Sequence, residues 1–258
     1  MECENLLAII SERYGRALGE NLVGIYAHGS IAFRCFRWDR SDVDFIAVAR
    51  EPLSRDAKLR LLSELEDLRA QAPPKGFEMS VVLQRHCENF EHPTPYELHF
   101  SNGLLGKYLE DPLSLCGDER KTDFDLAAHF TVIAKAGVVL RGEPIGKVFA
   151  PVPKSAYMDS ILRDVENARE DVAGNPAYVI LNLCRVYAHA KDGLVLSKEE
   201  GARWGLENLP ARYRGLVASA LGNYVSGEPI AGDAALQVEF CGHVMGLLPG
   251  RPRGGRKV

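Results

Sequence analysis

Two aspartates, Asp42 and Asp44, have the spacing in this sequence that most directly indicates chemistry. They open the segment 42–49, whose alternating apolar residues predict a β-strand, and the two-residue period of a strand places both carboxylates on one face. Paired carboxylates suit magnesium, a hard cation that prefers oxygen ligands and usually keeps water and substrate phosphates as its remaining ligands. The pair by itself is weak evidence, because aspartate is also common in solvated turns.

Further residues extend this pattern into a possible site. The segment 22–27 predicts a buried strand that runs into a turn at Gly29 and Ser30, and eleven residues separate Ser30 from Asp42. Glycine allows a backbone to approach a phosphate closely, and exposed N–H groups with a serine hydroxyl bind anionic oxygens. Glu78, in a third predicted strand over 77–84, adds a carboxylate able to accept the proton of an attacking hydroxyl. Together these residues favour a site for a metal-bound nucleoside triphosphate.

The elements around these strands predict an α+β fold class for the N-terminal part of the chain. Apolar residues at helical spacing predict helices, and a short apolar run after the last of them predicts an edge strand. The predicted helices span 5–18, 56–70 and 123–136, and the predicted edge strand spans 137–140. We therefore expect a mixed sheet with helices packed on it.

A proline-rich segment, Phe149 to Pro153, divides the sequence. Two prolines in three residues favour extended backbone, so we predict one domain over 1–152 and a second over 153–258. The second part contains five segments of helix-compatible spacing, separated by glycine or proline, which predict an all-α helical bundle. These segments are 161–172, 178–191, 198–206, 212–224 and 234–248.

Composition and missing motifs exclude several classes of protein. A net charge of -4 argues against a protein that wraps nucleic acid, which normally needs a basic face. The six cysteines form no CxxC pair, so neither a zinc site nor a disulfide framework is indicated, and the histidines show no metal-binding spacing. Neither a membrane-spanning apolar run nor the basic start of a signal peptide is present, so we expect a cytoplasmic protein without a membrane partner.

The segment His28 to Asp44 resembles the signature of the nucleotidyltransferase superfamily related to DNA polymerase beta. More narrowly, the chain is similar to the aminoglycoside nucleotidyltransferases of the streptomycin/spectinomycin adenylyltransferase group. Further segments support this in order and spacing, and the similarity covers nearly the whole chain. These segments are 77–82, 95–100, 149–153, 183–187, Trp204 and Leu209-Pro210.

The resemblance implies an N-terminal nucleotidyltransferase domain and a C-terminal helical domain that binds the antibiotic. ATP would be the co-substrate, two Mg²⁺ ions the metal cofactor, and an aminoglycoside or aminocyclitol the acceptor, bound by a monomer. A drug hydroxyl would attack the α-phosphate of ATP and release pyrophosphate. The implied roles are Asp42 and Asp44 as catalytic metal ligands, Glu78 as the catalytic base, and Gly29, Ser30, Ser41 and Lys198 as nucleotide contacts.

Candidate drug contacts are Tyr187, Asp192 and Arg185. Two positions differ from the residues usual in the family that this chain resembles. Arg34 stands where that family often has glycine, which puts the shape of the loop before Asp42 in doubt. Tyr187 stands where streptomycin-modifying relatives carry tryptophan, while Asp192 keeps an acid, so the choice of drug stays open. A tyrosine on a helix is more often a packing residue than a ligand contact.

Two alternatives remain beside this hypothesis. The same chemistry would serve another acceptor, either a different small molecule, a protein hydroxyl or an RNA end, of which the acidic balance makes RNA the least expected. The chain would otherwise be a non-catalytic nucleotide-binding or toxin–antitoxin partner protein that kept the fold. The three carboxylates argue against this second alternative, because a pure binding protein needs no base beside a metal pair.

Overall fold

The computed structural model describes residues 2–117, 119, 121–230 and 233–250. The chain separates into two compact units, Met1–Val152 and Pro153–Val258. The boundary between them falls in the proline-rich segment of the sequence. The first unit contains a mixed sheet with helices and the second is helical, so the α+β fold class with an all-α second part is confirmed.

The first unit is built on a five-stranded sheet whose strand order is β5-β3-β2-β1-β7. The central pair, β2 and β3, is parallel, and the other neighbours are antiparallel. A separate two-stranded sheet pairs β4 with β6. The strands are β1 (Leu22–Ala27), β2 (Val43–Ala49), β3 (Phe77–Leu83), β4 (Thr94–Tyr96), β5 (Leu98–Ser101), β6 (Lys121–Asp123) and β7 (Val138–Gly142).

Helices cover both faces of the five-stranded sheet. The period of two along β2 sends Phe45 into a core shared with two helices on one face, and Ile46 into a core shared with a third helix on the other. This two-sided burial explains why β2 is almost continuously apolar after Asp44. The helices of this unit are α1 (Glu2–Leu18), α2 (Gly29–Ala32), α3 (Arg55–Leu68), α4 (Gln84–Glu88), α5 (Leu105–Glu110), α6 (Leu126–Ala136) and α7 (Ile145–Val148). Of these, α1 and α3 lie on the Phe45 face, and α6 lies on the Ile46 face.

The second unit is built around one long central helix, α10, which contacts the five other helices described in this unit. Proline at its first turn suits a helix start, and Gly193 ends it in the left-handed conformation with φ 69°. The next helix, α11, starts with a capping box between Ser197 and Glu200. The helices are α8 (Lys154–Asp164), α9 (Ala168–Asp171), α10 (Pro176–Asp192), α11 (Lys198–Asn208), α12 (Arg214–Ser226) and α13 (Ala234–Leu247).

One predicted helix, 161–172, is wrong as a single element. The structure starts α8 directly after Pro153 and ends it at Asp164, and a separate short helix, α9, follows. The sequence pattern treats Pro153 only as a break. Proline also suits the start of a helix, because its φ is already near the helical value, and here it directly precedes α8. The short strands β4, β5 and β6 were not predicted, because three or four residues are too few to show a period.

Within the described residues, no helix combines the length and the apolar character that a membrane crossing requires.

Candidate active site

Asp42, Asp44 and Glu78 meet at one end of the central parallel strand pair. The register of β2 and β3 places Asp44 directly beside Glu78, and Asp42 lies just before β2. One carboxylate oxygen from each of the three lies within 4.8 Å of the other two. Three acidic groups this close repel each other unless a cation lies between them, so the oxygen donors fit a hard divalent cation. The structure therefore brings together the three carboxylates that the sequence singled out.

Gly29 brings backbone against this cluster. It follows β1 and has φ 56°, which residues with a side chain rarely adopt. A Cβ atom added at Gly29 would overlap the carboxylate of Asp44. The neighbouring His28 donates its backbone N–H to the carbonyl of Asp44 at 3.0 Å, which ties the turn to β2. Only glycine fits this close approach.

The hydroxyl of Ser30 lies in the same turn, is shielded from solvent and has no hydrogen-bond partner among the described residues. Leaving a buried hydroxyl unpaired costs about 1–3 kcal/mol, so such atoms usually have a missing partner. An anionic phosphate oxygen would accept its hydrogen bond. The orphaned hydroxyl thus fits the nucleotide contact that was predicted for Ser30.

Ser41 closes the loop that leads to Asp42. Its side chain is 3% exposed, and its hydroxyl accepts a hydrogen bond from the backbone N–H of Arg37 at 3.1 Å. Its own N–H donates to the carbonyl of Arg37 at 2.8 Å. In this structure Ser41 therefore orders the loop before the carboxylates. A hydroxyl that accepts one bond can still donate another, and the nucleotide contact of Ser41 stays a prediction.

Two histidines for which the sequence indicates no site role lie one behind the other next to Glu78, with His129 beside the carboxylate and His28 against His129. His129 on α6 places its Nε2 atom 3.6 Å from Oε1 of Glu78, and its ring centroid is 4.5 Å from that of His28. His28 is fully buried, and burial, followed by the charge of His129, holds the pKa of its imidazole well below the ordinary value. His28 is therefore neutral at neutral pH. No spacing along the chain links these residues, so the sequence contained no signal for them.

A third histidine, His99 on β5, faces the same region from the neighbouring strand. Its Nδ1 atom lies 3.0 Å from the hydroxyl of Ser80. Burial lowers the pKa of His99, and the charges of Asp123 and Glu78 act in the opposite direction. The contact between the imidazole of His99 and the hydroxyl of Ser80 ties β5 to β3, the strand that carries Glu78.

The second unit brings Tyr187 and Asp192 together through Trp204. The rings of Tyr187 and Trp204 meet edge to face with centroids 5.3 Å apart. The indole N–H of Trp204 donates to Oδ2 of Asp192 at 2.8 Å, and the ammonium of Lys191 lies 5.5 Å from the Trp204 ring centroid. Sequence spacing alone did not place Trp204 between the two predicted drug contacts, because it comes from a different helix.

Arg185 and Lys198 have protein neighbours within the second unit. The Nε atom of Arg185 donates to the carbonyl of Leu196 at 2.8 Å, and its guanidinium also donates to Asn182 at 3.0 Å. These bonds hold α10 against the segment that precedes α11. Lys198 lies in the first turn of α11, with its ammonium 4.8 Å from the ring centroid of Tyr178. The drug contact of Arg185 and the nucleotide contact of Lys198 stay predictions.

Comparison with known proteins shows which sequences this chain resembles. Residues 147–246 match the family model described as aminoglycoside adenylyltransferase, C-terminal domain. The chain is 26% identical over 246 residues to an aminoglycoside (3'') (9) adenylyltransferase of Klebsiella pneumoniae, covering 90% of both chains. It is 23% identical over 210 residues to a spectinomycin 9-adenylyltransferase of Staphylococcus aureus, covering 80% of this chain and 79% of the relative.

A solved structure shares the fold. The crystal structure of a spectinomycin adenyltransferase from Enterococcus faecialis, with ATP and spectinomycin, superposes with a TM-score of 0.79 at 19% identity. The likeness covers 94% of this chain and 99% of that protein. Over nine-tenths of its length the chain is similar in sequence to an aminoglycoside (3'') (9) adenylyltransferase, it shares the fold of a spectinomycin adenyltransferase, and its residues 147–246 match the family model of the C-terminal domain.

Proposed function

We propose that this chain is an ATP- and magnesium-dependent adenylyltransferase. It transfers AMP from ATP to a hydroxyl of an aminoglycoside or aminocyclitol drug, spectinomycin or streptomycin, and thereby confers resistance. The observation that carries this proposal is the convergence of Asp42, Asp44 and Glu78 within 4.8 Å. The relatives named for drug adenylylation support the choice of acceptor.

The carboxylates divide into two roles. Asp42 and Asp44 lie at the start of β2 and would hold magnesium, which supplies positive charge to the phosphates when it is bound. Glu78 lies on the neighbouring strand and takes the proton of the attacking drug hydroxyl. A bond forms between the drug oxygen and the α-phosphorus, the bond from that phosphorus to the bridging oxygen breaks, and pyrophosphate leaves. Glu78 then passes its proton to solvent.

The turn at Gly29 and Ser30 positions the phosphates for this step. The close approach of Gly29 to Asp44 puts backbone N–H groups beside the metal ligands, and the unpaired hydroxyl of Ser30 donates to a phosphate oxygen. Binding a substrate in one orientation supplies much of the rate acceleration of group-transfer enzymes. Ser41 and Lys198 are proposed as further nucleotide contacts on the resemblance alone.

The acceptor is proposed to contact the cluster of Tyr187, Trp204 and Asp192 in the second unit. Aromatic faces and a carboxylate attract ammonium or guanidinium groups, which these drugs carry. The hydrogen bond from Trp204 fixes Asp192 and leaves its second oxygen for a cationic group. We propose that the chain acts as a monomer, with ATP and the drug as its partners.

Pyrophosphate release tests this function. The native chain, Glu78→Gln and a matched control, Glu110→Gln, are compared with ATP and magnesium in the presence of spectinomycin or streptomycin. Glu110 is exposed at the end of α5, so its substitution changes the net charge equally without touching the site. We expect drug-dependent release by the native chain and the control, and at least about 100-fold less by Glu78→Gln.

Metal removal gives a second readout of the same proposal. A chelator abolishes release and added magnesium restores it if the carboxylates hold the ion. Failure of the native chain to adenylylate either drug would overturn the acceptor. Full activity of Glu78→Gln would overturn the base.

A further inference from the structure

Helix α2 ends in a Schellman motif, and Arg34 occupies the position in that motif where glycine is usual. The N–H of Cys35 donates to the carbonyl of Ser30 at 3.0 Å, and the N–H of Arg34 donates to the carbonyl of Ile31 at 3.1 Å. These two bonds define the motif, and they require a left-handed residue between them. Arg34 has φ 56°, and among the described residues it alone combines a side chain with a positive φ.

This conformation is unfavourable for an arginine. A Cβ atom in the left-handed region approaches the following carbonyl oxygen, so glycine normally fills this position. Arg34 therefore adopts the backbone conformation that suits the glycine which the resembling family often has here. Residues held in such sparsely populated conformations cluster at functional sites, where the side chain contributes something that glycine lacks.

The same bonds place Arg34 beside the proposed phosphate-binding turn. Besides the bond from Cys35 to Ser30, the N–H of Phe33 donates to the carbonyl of Gly29 at 3.3 Å. These hydrogen bonds hold the backbone of Arg34 four residues from Ser30. The buried hydroxyl of Ser30 has no hydrogen-bond partner in the described part of the chain. The side chain of Arg34 is exposed, and within the described part of the chain it makes no hydrogen bond or ion pair.

We propose that the guanidinium of Arg34 binds the terminal phosphates of the nucleotide. This inference rests on the proposed function only in taking a nucleoside triphosphate as the ligand. Guanidinium matches phosphate through two parallel N–H bonds and keeps its charge at all physiological pH values. Gly29, at the start of α2, contacts the metal ligand Asp44, and Arg34 follows the other end of this short helix. Because the α-phosphate is attacked beside Glu78 in the proposed reaction, the guanidinium of Arg34 is assigned to the phosphates that depart.

Replacing Arg34 with glycine distinguishes a phosphate-binding side chain from a surface side chain that has no role. Arg34→Gly relieves the unfavourable backbone conformation while it removes the guanidinium. If the side chain has no role, nucleotide affinity stays the same. If it binds phosphate, affinity falls although the fold is no less stable.

The experiment measures the affinities of the full chain for ATP and for AMP, each with magnesium, by titration calorimetry. The variants are Arg34→Gly, Arg34→Asn and a control, Arg60→Ala. Asparagine is included because it also tolerates the left-handed conformation. Arg60 is exposed on α3 and its loss changes the net charge equally. We expect both Arg34 variants to bind ATP about 10-fold or more weakly and AMP within about twofold of the native chain. The control is expected to bind both nucleotides as the native chain does.

Several outcomes would overturn the inference. These are an ATP affinity within twofold of native in Arg34→Gly and Arg34→Asn, an equal loss of AMP and ATP affinity, and a native chain that binds no ATP. Drug adenylylation is measured separately. A chain that binds ATP through Arg34 but modifies no drug would contradict the proposed acceptor and leave the role of Arg34 standing.

Discussion

His129 places its Nε2 atom 3.6 Å from Oε1 of Glu78, although the two residues belong to different elements, α6 and β3. The distance is longer than a formed hydrogen bond, so the imidazole lies against the carboxylate and leaves room for a substrate hydroxyl. The ring of His28 packs against the ring of His129 and limits its movement. This relationship makes His129 a positioning residue for the proposed base.

Replacing His129 should therefore slow the reaction without weakening substrate binding. We expect His129→Leu to lower kcat about 10-fold, equivalent to about 1.4 kcal/mol of transition-state stabilisation, with KM for ATP and drug nearly unchanged. His129→Gln keeps an N–H donor and should retain most of the rate. Steady-state kinetics measure both parameters, and thermal melting checks the fold. A native kcat in His129→Leu would remove His129 from the mechanism.

A methyl group at Gly29 should disrupt the site. Gly29→Ala combines an unfavourable positive φ with an overlap on Asp44, so we expect a loss of about 1–3 kcal/mol in the free energy of unfolding and a loss of magnesium-dependent activity. Urea unfolding and pyrophosphate release measure the two effects.

Gly106→Ala is the matched control for this substitution. Gly106 lies in α5, and an added Cβ atom there would meet no neighbour within 4 Å among the described residues. Alanine favours helix more than glycine, so this variant should be unchanged or slightly more stable. Equal destabilisation by both substitutions would contradict the close approach at Gly29.

The stability of the protein should fall as pH falls below about 6.5. Burial lowers the pKa of His28 well below its ordinary value of 6.5, and burial also lowers the pKa of His99. The unfolded chain therefore binds protons more readily than the folded one, which favours unfolding as pH falls from 6.5 towards the folded pKa values. His28, whose pKa burial lowers well below its ordinary value, should contribute to this loss between pH 7 and pH 5.

Urea unfolding at pH 7, 6 and 5 checks this slope in the native chain and in His28→Gln. Glutamine does not titrate, so the variant should lose less stability with falling pH even if it is less stable at pH 7. Parallel slopes in the two proteins would show that His28 is not responsible.

Arg185 should contribute more to the stability of the second unit than an exposed arginine does. Arg185→Ala leaves the carbonyl of Leu196 and the amide oxygen of Asn182 without this donor, so we expect a loss of about 1–3 kcal/mol. Arg203 forms an exposed ion pair with Glu199 one helical turn away, and Arg203→Ala should cost about 0.5 kcal/mol or less. Chemical unfolding measures both, and KM for the drug is measured beside it. An unchanged stability with a raised drug KM would instead favour the predicted drug contact of Arg185.

Local patterns were sufficient to predict the strands and most helices that carry the site. Alternation along 42–49 and 77–84 predicted β2 and β3 within one residue, because the two-residue period of a strand is visible over seven residues. The same period predicted that Asp42 and Asp44 share a face. The helix predicted over 161–172 was wrong because the prediction places only a break at Pro153, whereas α8 starts directly after this residue.

The sequence by itself determined which residue types are present and which neighbours along a strand or helix share a face, since these properties depend only on local backbone geometry. It therefore indicated Asp42, Asp44 and Glu78. Only the tertiary structure decided that β2 and β3 are parallel neighbours, that His129 meets Glu78, and that Trp204 binds Asp192. Such contacts join elements far apart in the chain, and they result from packing of whole faces, which no local period encodes.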